Sequence, residues 1–213
     1  MSALFLKRFL RNPLQVASVV PSSRALVRRV ACKMDFSKPR IIAEYGPGEG
    51  CHTRELARRM HPESRLLLFE LDAELCVHLR KQFAHDSRVS VHHTDCAQLP
   101  AVLKDHSLPH CDYILSGIPF SILEKDKKRE ILTNTHSVLR PEPHSAFIIY
   151  QVTNELRTKG HCDHFAHAES EYCLLNIPPM FVTKFYKQAN GHAPVGLNGH
   201  HLNGHRINGS DPH

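Results

Sequence analysis

Apolar positions along the chain change their period several times, and those changes divide it into elements. Leu26, Val27, Val30, Ala31 and Met34 recur at helical spacing with Arg28, Arg29 and Lys33 between them, which predicts an amphipathic helix with a basic outer face. Pro21-Ser22-Ser23 stands just ahead, where a serine hydroxyl can cap the first free backbone N–H groups. From Arg40 onward, short apolar runs alternate with longer helical periods. Strands are predicted over 41–44, 66–70, 89–92, 113–115 and 146–150, and helices over 53–60, 73–84 and 127–139. Two more strands, 172–177 and 181–185, lie close enough to pair as an antiparallel hairpin. Unbroken short apolar runs suit parallel strands covered on both faces. The expected fold is therefore α/β: a doubly wound, mostly parallel seven-stranded sheet with N-terminal helices, binding its ligand at the carboxyl ends of the strands.

The two ends of the chain read differently. In Leu4-Phe5-Leu6-Lys7-Arg8-Phe9-Leu10-Arg11, a helical turn puts Phe5, Leu6 and Phe9 on one face and Lys7, Arg8 and Arg11 towards the other. Such a segment either lies in a membrane interface or packs its apolar face onto the domain, and the residues alone leave both open. Past Lys187, Asn-Gly-His recurs at 190–192, 198–200 and 203–205 with no hydrophobic period, which predicts a disordered tail. The expected organisation is a basic helical lead-in over 1–39, one domain over 40–187 and a tail over 188–213.

Charge sharpens this division. The net charge of +6 is concentrated at the front, where residues 1–40 carry nine Lys and Arg against Asp35 alone. Such a segment suits an anionic partner, either a phosphate backbone or lipid headgroups. The seven cysteines are scattered without a C-x-x-C pair, and no signal peptide precedes the lead-in, so reduced thiols in the cytoplasm are expected. No apolar run approaches the roughly 20 residues that span a bilayer. His161, Cys162, Asp163, His164 and His167 form a cluster whose spacing matches no metal pattern, and no metal site is expected.

The densest chemistry follows the first strand, in Glu44-Tyr45-Gly46-Pro47-Gly48-Glu49-Gly50. Glycines at 46, 48 and 50 allow a tight bend and close approach of a ligand to main chain. A dinucleotide loop would carry glycine where Cys51 stands. Glu70 ends the second strand, where a carboxylate can accept from both ribose hydroxyls. Asp95 follows the third, and Ser116-Gly117-Ile118-Pro119-Phe120 the fourth.

G-x-G-x-G behind an acidic residue resembles the loop of class I S-adenosylmethionine-dependent methyltransferases, a Rossmann-like family. That resemblance implies S-adenosyl-L-methionine as cofactor, with Glu44, Gly46, Gly48, Gly50, Glu70, Asp95 and Ser116 around it and Asp95 near the adenine. It implies acceptor binding at Gly117, Ile118, Pro119 and Phe120. Tyr45 and Tyr150 are candidate catalytic residues, as cation–π or hydrogen-bonding partners of an amine. The lead-in Asn12-Pro13 … Ala17-Ser18-Val19-Val20-Pro21-Ser22-Ser23 and the late Asn176-Ile177-Pro178-Pro179 are more selective, and resemble the bacterial phospholipid N-methyltransferases. This implies methylation of phosphatidylethanolamine towards phosphatidylcholine, or of another amino lipid, by an enzyme held peripherally on the inner face of the membrane. It also implies membrane binding through Phe5, Lys7, Arg8, Phe9 and Arg11. The rival family is the rRNA adenine dimethyltransferases, whose acceptor turn opens on Asn; Ser116 and Gly117 supply no such amide, which disfavours a nucleic-acid partner.

Overall fold

The computed structural model describes residues 22–158 and 165–187. The predicted membrane segment (Phe5, Lys7, Arg8, Phe9 and Arg11), residues 161–164 of the His/Cys cluster and the Asn-Gly-His tail lie outside those residues.

The chain opens with α1 (Arg24–Ala31), where the Ser23 hydroxyl accepts from the Leu26 N–H at 3.1 Å, as the Pro-Ser-Ser reading predicts. Strand–helix alternation follows: β1 (Ile41–Tyr45), α2 (Cys51–Arg59), β2 (Arg65–Glu70), α3 (Ala73–Gln82), β3 (Val89–His93), α4 (Leu99–Asp105), β4 (Tyr113–Ser116), α5 (Lys125–Val138) and β5 (Ala146–Gln151). After the short α6 (Glu155–Thr158) come β6 (His167–Cys173) and β7 (Met180–Tyr186). All seven strands form one sheet in the order β3-β2-β1-β4-β5-β7-β6. The first five are parallel, and β7 runs antiparallel between β5 and β6.

Strand alternation divides the core in two. Ala43, Tyr45, Ile114 and Phe147 face one way, onto the side covered by α4 and α5. Ile42, Leu66, Leu68, Tyr113, Leu115 and Ile148 face the other, onto α1, α2 and α3. The chain order therefore reverses between β1 and β4, and the loops after those two strands meet at one carboxyl edge.

Two predictions shift. The strand expected over 172–177 instead spans His167–Cys173, and residues 174–177 turn away from the sheet. Its apolar run suggested a strand, yet Leu174, Leu175 and Ile177 are 71%, 74% and 85% exposed. Helix α4 was not foreseen: seven residues with Pro100 in the first turn give too few turns to establish a period. Among the described residues, no helix is long and apolar enough to cross a membrane. His167, from the His/Cys cluster, stacks on the Tyr186 ring at 5.8 Å.

Candidate functional site

The bend after β1 takes positive φ at each glycine: +64° at Gly46, +56° at Gly48 and +76° at Gly50. L side chains pay for that conformation, and here three occur within five residues. The Gly46 N–H donates to the Phe69 carbonyl at 2.9 Å and the Gly50 N–H to Pro47 at 2.9 Å, fixing both ends of the bend. A Cβ at Gly46 would stand 2.9 Å from the Ile118 Cγ2, whereas one at Gly48 would meet nothing within 4 Å. The ground over Gly48 is therefore open.

Two carboxylates flank this bend from opposite sides. Glu70, at the end of β2, accepts from the Gly48 N–H at 3.2 Å through Oε2, and from the Leu71 and Asp72 N–H groups at 2.9 and 3.0 Å through Oε1. Glu44 lies beneath the bend, 1% exposed, and accepts from the Thr53 hydroxyl at 2.7 Å. Among the described residues its Oε1 has no hydrogen-bond partner. Burial pushes the Glu44 carboxyl up to about 7, against the pull of the Thr53 hydrogen bond. Asp95 follows β3 at the same edge, where it caps a turn through Ala97 and pairs with Lys127 of α5 at 2.8 Å.

The β4–β5 side is held by packing. Ser116 is fully buried, and its hydroxyl accepts from the Ile118 N–H at 3.4 Å. Gln151 donates to the Ile118 carbonyl at 3.1 Å, and Phe120 anchors the turn edge-to-face on Phe147 at 6.1 Å. Phe120 is thus a core residue at 1% exposure, while Gly117, Ile118 and Pro119 are partly buried. A Cβ at Gly117 would collide with the Tyr150 hydroxyl and lie 3.2 Å from the Gly46 carbonyl, so this glycine lets three strands' ends converge.

The two tyrosines part company. Tyr45 faces the α5 side, where its hydroxyl pairs with Thr135 at 3.0 Å and its ring meets Phe69 edge-on at 5.9 Å. It is 0% exposed, so the expectation that it meets an amine gives way to a packing role: alternation along β1 sends Tyr45 away from the face that holds Glu44. Tyr150 stays beside the bend, partly buried, its hydroxyl against Gly117. Its ring stacks on His52 at 4.4 Å, and Ser22 pairs with the His52 Nε2 at 3.0 Å. Burial pulls His52 down to about 3, so the ring is neutral. His52, Thr53 and Ser22 were not foreseen as part of this site. Their one sequence signal is that His52 and Thr53 open the helix directly behind the glycines.

These residues fit an adenosyl sulfonium ligand on the structure's own terms: open ground above Gly48, a carboxylate at the second strand end, and an unpartnered buried oxygen at Glu44. The fold and the bend thus define a nucleoside-binding α/β domain. A sequence profile described as a methyltransferase domain matches residues 42–142. The chain is 30% identical over 138 residues to an ornithine lipid N-methyltransferase of Singulisphaera acidiphila, covering 65% of this chain and 72% of that protein. It is 35% identical over 94 residues to an rRNA adenine N-6-methyltransferase of Aeromicrobium erythreum, covering 44% of this chain but only 24% of that protein. Among solved structures, a precorrin-6y C5,15-methyltransferase from Geobacter metallireducens superposes with a TM-score of 0.60 at 15% identity, over 78% of this chain and 89% of that one. The chain belongs to the class I S-adenosylmethionine-dependent methyltransferases, and S-adenosyl-L-methionine is its methyl donor.

Proposed function

We propose that the chain methylates the amine of a membrane lipid headgroup. The observation that carries this reading is the similarity to the ornithine lipid N-methyltransferase, which extends over most of both chains. The similarity to the rRNA methyltransferase is confined to a quarter of that protein. The acceptor turn agrees: Ser116-Gly117-Ile118-Pro119-Phe120 offers no side-chain amide for an adenine, and Tyr150 presents an aromatic hydroxyl there instead. Phosphatidylethanolamine and an aminoacyl lipid both carry a primary amine close to an anionic group, and both are substrates under this reading. The basic segment with Phe5, Lys7, Arg8, Phe9 and Arg11 supplies part of the attraction to an anionic inner membrane face.

When bound, the cofactor supplies an electrophilic methyl on a good leaving group. The protein's work is then to align the amine with that methyl and to keep water out. Gly48 and Glu70 would hold the sugar side, Glu44 and the bend the amino-acid side, and Asp95 the adenine edge. Tyr150, fixed by the His52 stack and by Ser22, orients the amine over Gly117 by hydrogen bond and ring face. The amine attacks as its neutral form and sheds a proton as the N–C bond forms and the S–C bond breaks.

The test is incubation with methyl-labelled cofactor and, separately, phosphatidylethanolamine vesicles, aminoacyl-lipid vesicles and unmodified rRNA. Label is expected in the lipid extract of one or both vesicle samples. Label in the rRNA with none in lipid would overturn the reading.

A further inference from the structure

The turn between β6 and β7 is built in a way that its sequence does not explain. Leu174, Leu175 and Ile177 point into solvent at 71%, 74% and 85% exposure, and Tyr172 beside them is 46% exposed. Four large apolar side chains within six residues form an unusual surface patch. Between them Asn176 is 1% exposed, its Oδ1 accepting from the Ser23 N–H at 2.8 Å and its Nδ2 donating to the Pro178 carbonyl at 2.7 Å. One buried amide thus lashes the tip to the N-cap of α1 and holds the apolar side chains outward. The tip is held in shape.

Beside that lashing point lies a groove of about 470 Å³ between α1 and α2, running from Ser22 to Cys51. Among the described residues its walls carry Arg24, Arg28, Arg54 and Arg58 against Glu55, which pairs with Arg58 at 2.9 Å, so the groove is net positive. Ser22 joins the groove to the acceptor turn through His52 and Tyr150. Apolar tip, cationic groove and acceptor turn therefore meet around residues 22–24.

We propose that this face docks on an anionic bilayer, with the 174–177 tip entering the acyl boundary and the arginine groove taking the phosphate or carboxylate of headgroups. The apolar tip and the flanking positive charge are the two attractions a peripheral membrane surface combines. The proposal rests on reading the acceptor as a membrane lipid, because it explains how a headgroup reaches Gly117 without leaving the bilayer.

The chain has no tryptophan, so Leu175→Trp installs a single reporter at the tip. Its emission in the full chain is expected to be that of an exposed indole in buffer. It should shift to the blue on phosphatidylglycerol-containing vesicles, and brominated lipid should quench it. An emission already blue in buffer, or one that shifts with protein concentration alone, would assign the tip to residues 1–21 or to a second copy, and would overturn the proposal. No shift on vesicles would overturn it as well. In co-sedimentation, Leu174→Glu/Leu175→Glu/Ile177→Glu should lower partition onto those vesicles at least tenfold while leaving methylation of a short-chain, soluble amino lipid within twofold. Arg24→Glu/Arg28→Glu should weaken partition onto anionic vesicles alone; equal loss on purely zwitterionic vesicles would count against the groove. If the unsubstituted chain leaves the soluble amino lipid unmethylated, the substrate reading fails while the tryptophan result still decides docking.

Discussion

At the carboxyl edge of β1 and β2 the contacts stay within one strand–helix–strand unit, whereas at the edge of β4 and β5 they join residues from separate units of the chain. Glu70 accepts from the next two N–H groups and from Gly48, 22 positions back; Thr53 reaches Glu44 across nine. On the acceptor side Ser22 meets His52 across 30 positions, Gln151 meets Ile118 across 33, and Tyr150 closes over Gly117. The half proposed for the cofactor offers backbone groups that a bend presents. The half proposed for the acceptor is shaped by volumes that fit. Substitutions should therefore fail differently: lost hydrogen bonds on one side, collisions on the other.

The sharpest way to break this contrast is Gly117→Ala, which adds one carbon where the Tyr150 hydroxyl stands. Overpacking of this kind costs about 1–3 kcal/mol, and displacement of the turn should lower turnover by roughly 100-fold. Thermal melts and initial rates measure both. Adding Tyr150→Phe removes the oxygen in the way and should recover most of the melting temperature. A double variant no more stable than the single would show that the fit is not what limits this side.

Next in size is the pH response of the buried pair. The folded Glu44 carboxyl titrates near 7 against an ordinary 4.5, so between those values the folded state keeps a proton that the unfolded chain releases. Stability from this group falls as pH rises through that window, by up to about 3 kcal/mol. His52 acts oppositely: held neutral down to about 3 against 6.5, it makes stability rise with pH across that range. Between about 4.5 and 6.5 the two oppose each other. Glu44→Gln should remove the falling component and leave a rising one, to which His52 contributes together with His92 and His110, also lowered by burial, and denaturant midpoints collected from pH 4 to 8 would reveal it. A variant curve that superposes on the unsubstituted one would remove Glu44 as the titrating group.

The smallest effect is expected from Glu70→Ala, which deletes hydrogen bonds without creating a clash. Cofactor affinity should fall by about 1–3 kcal/mol, read by isothermal titration. Unchanged affinity would mean that the bend alone grips the nucleoside, and that β2 adds nothing to it.

The parallel strands were legible because each is a short apolar run between helical periods, and the bend was legible because three glycines in five residues have few other uses. Glu70 was legible as the acid at the next strand end. The roles of Tyr45 and Tyr150 were not: both follow apolar runs, and only the side of the sheet on which each falls separates a core tyrosine from one beside the acceptor turn. The late hairpin misled, because Leu174, Leu175 and Ile177 carry the apolar character of a buried strand and are held outside by Asn176 instead.

By itself, then, the sequence determined the order of elements and the glycine bend, which depend on residues a few positions apart, and the acids near it, which are marked by their place at successive strand ends. The tertiary structure alone decided that Ser22, His52, Gly117 and Tyr150 meet, that Glu44 is buried with one oxygen unpartnered among the described residues, and that an apolar tip is tied to the cap of the helix carrying Arg24 and Arg28. These depend on which sheet face and which helix pair bring remote residues together, and side-chain volume and burial act only once the chain has closed on itself.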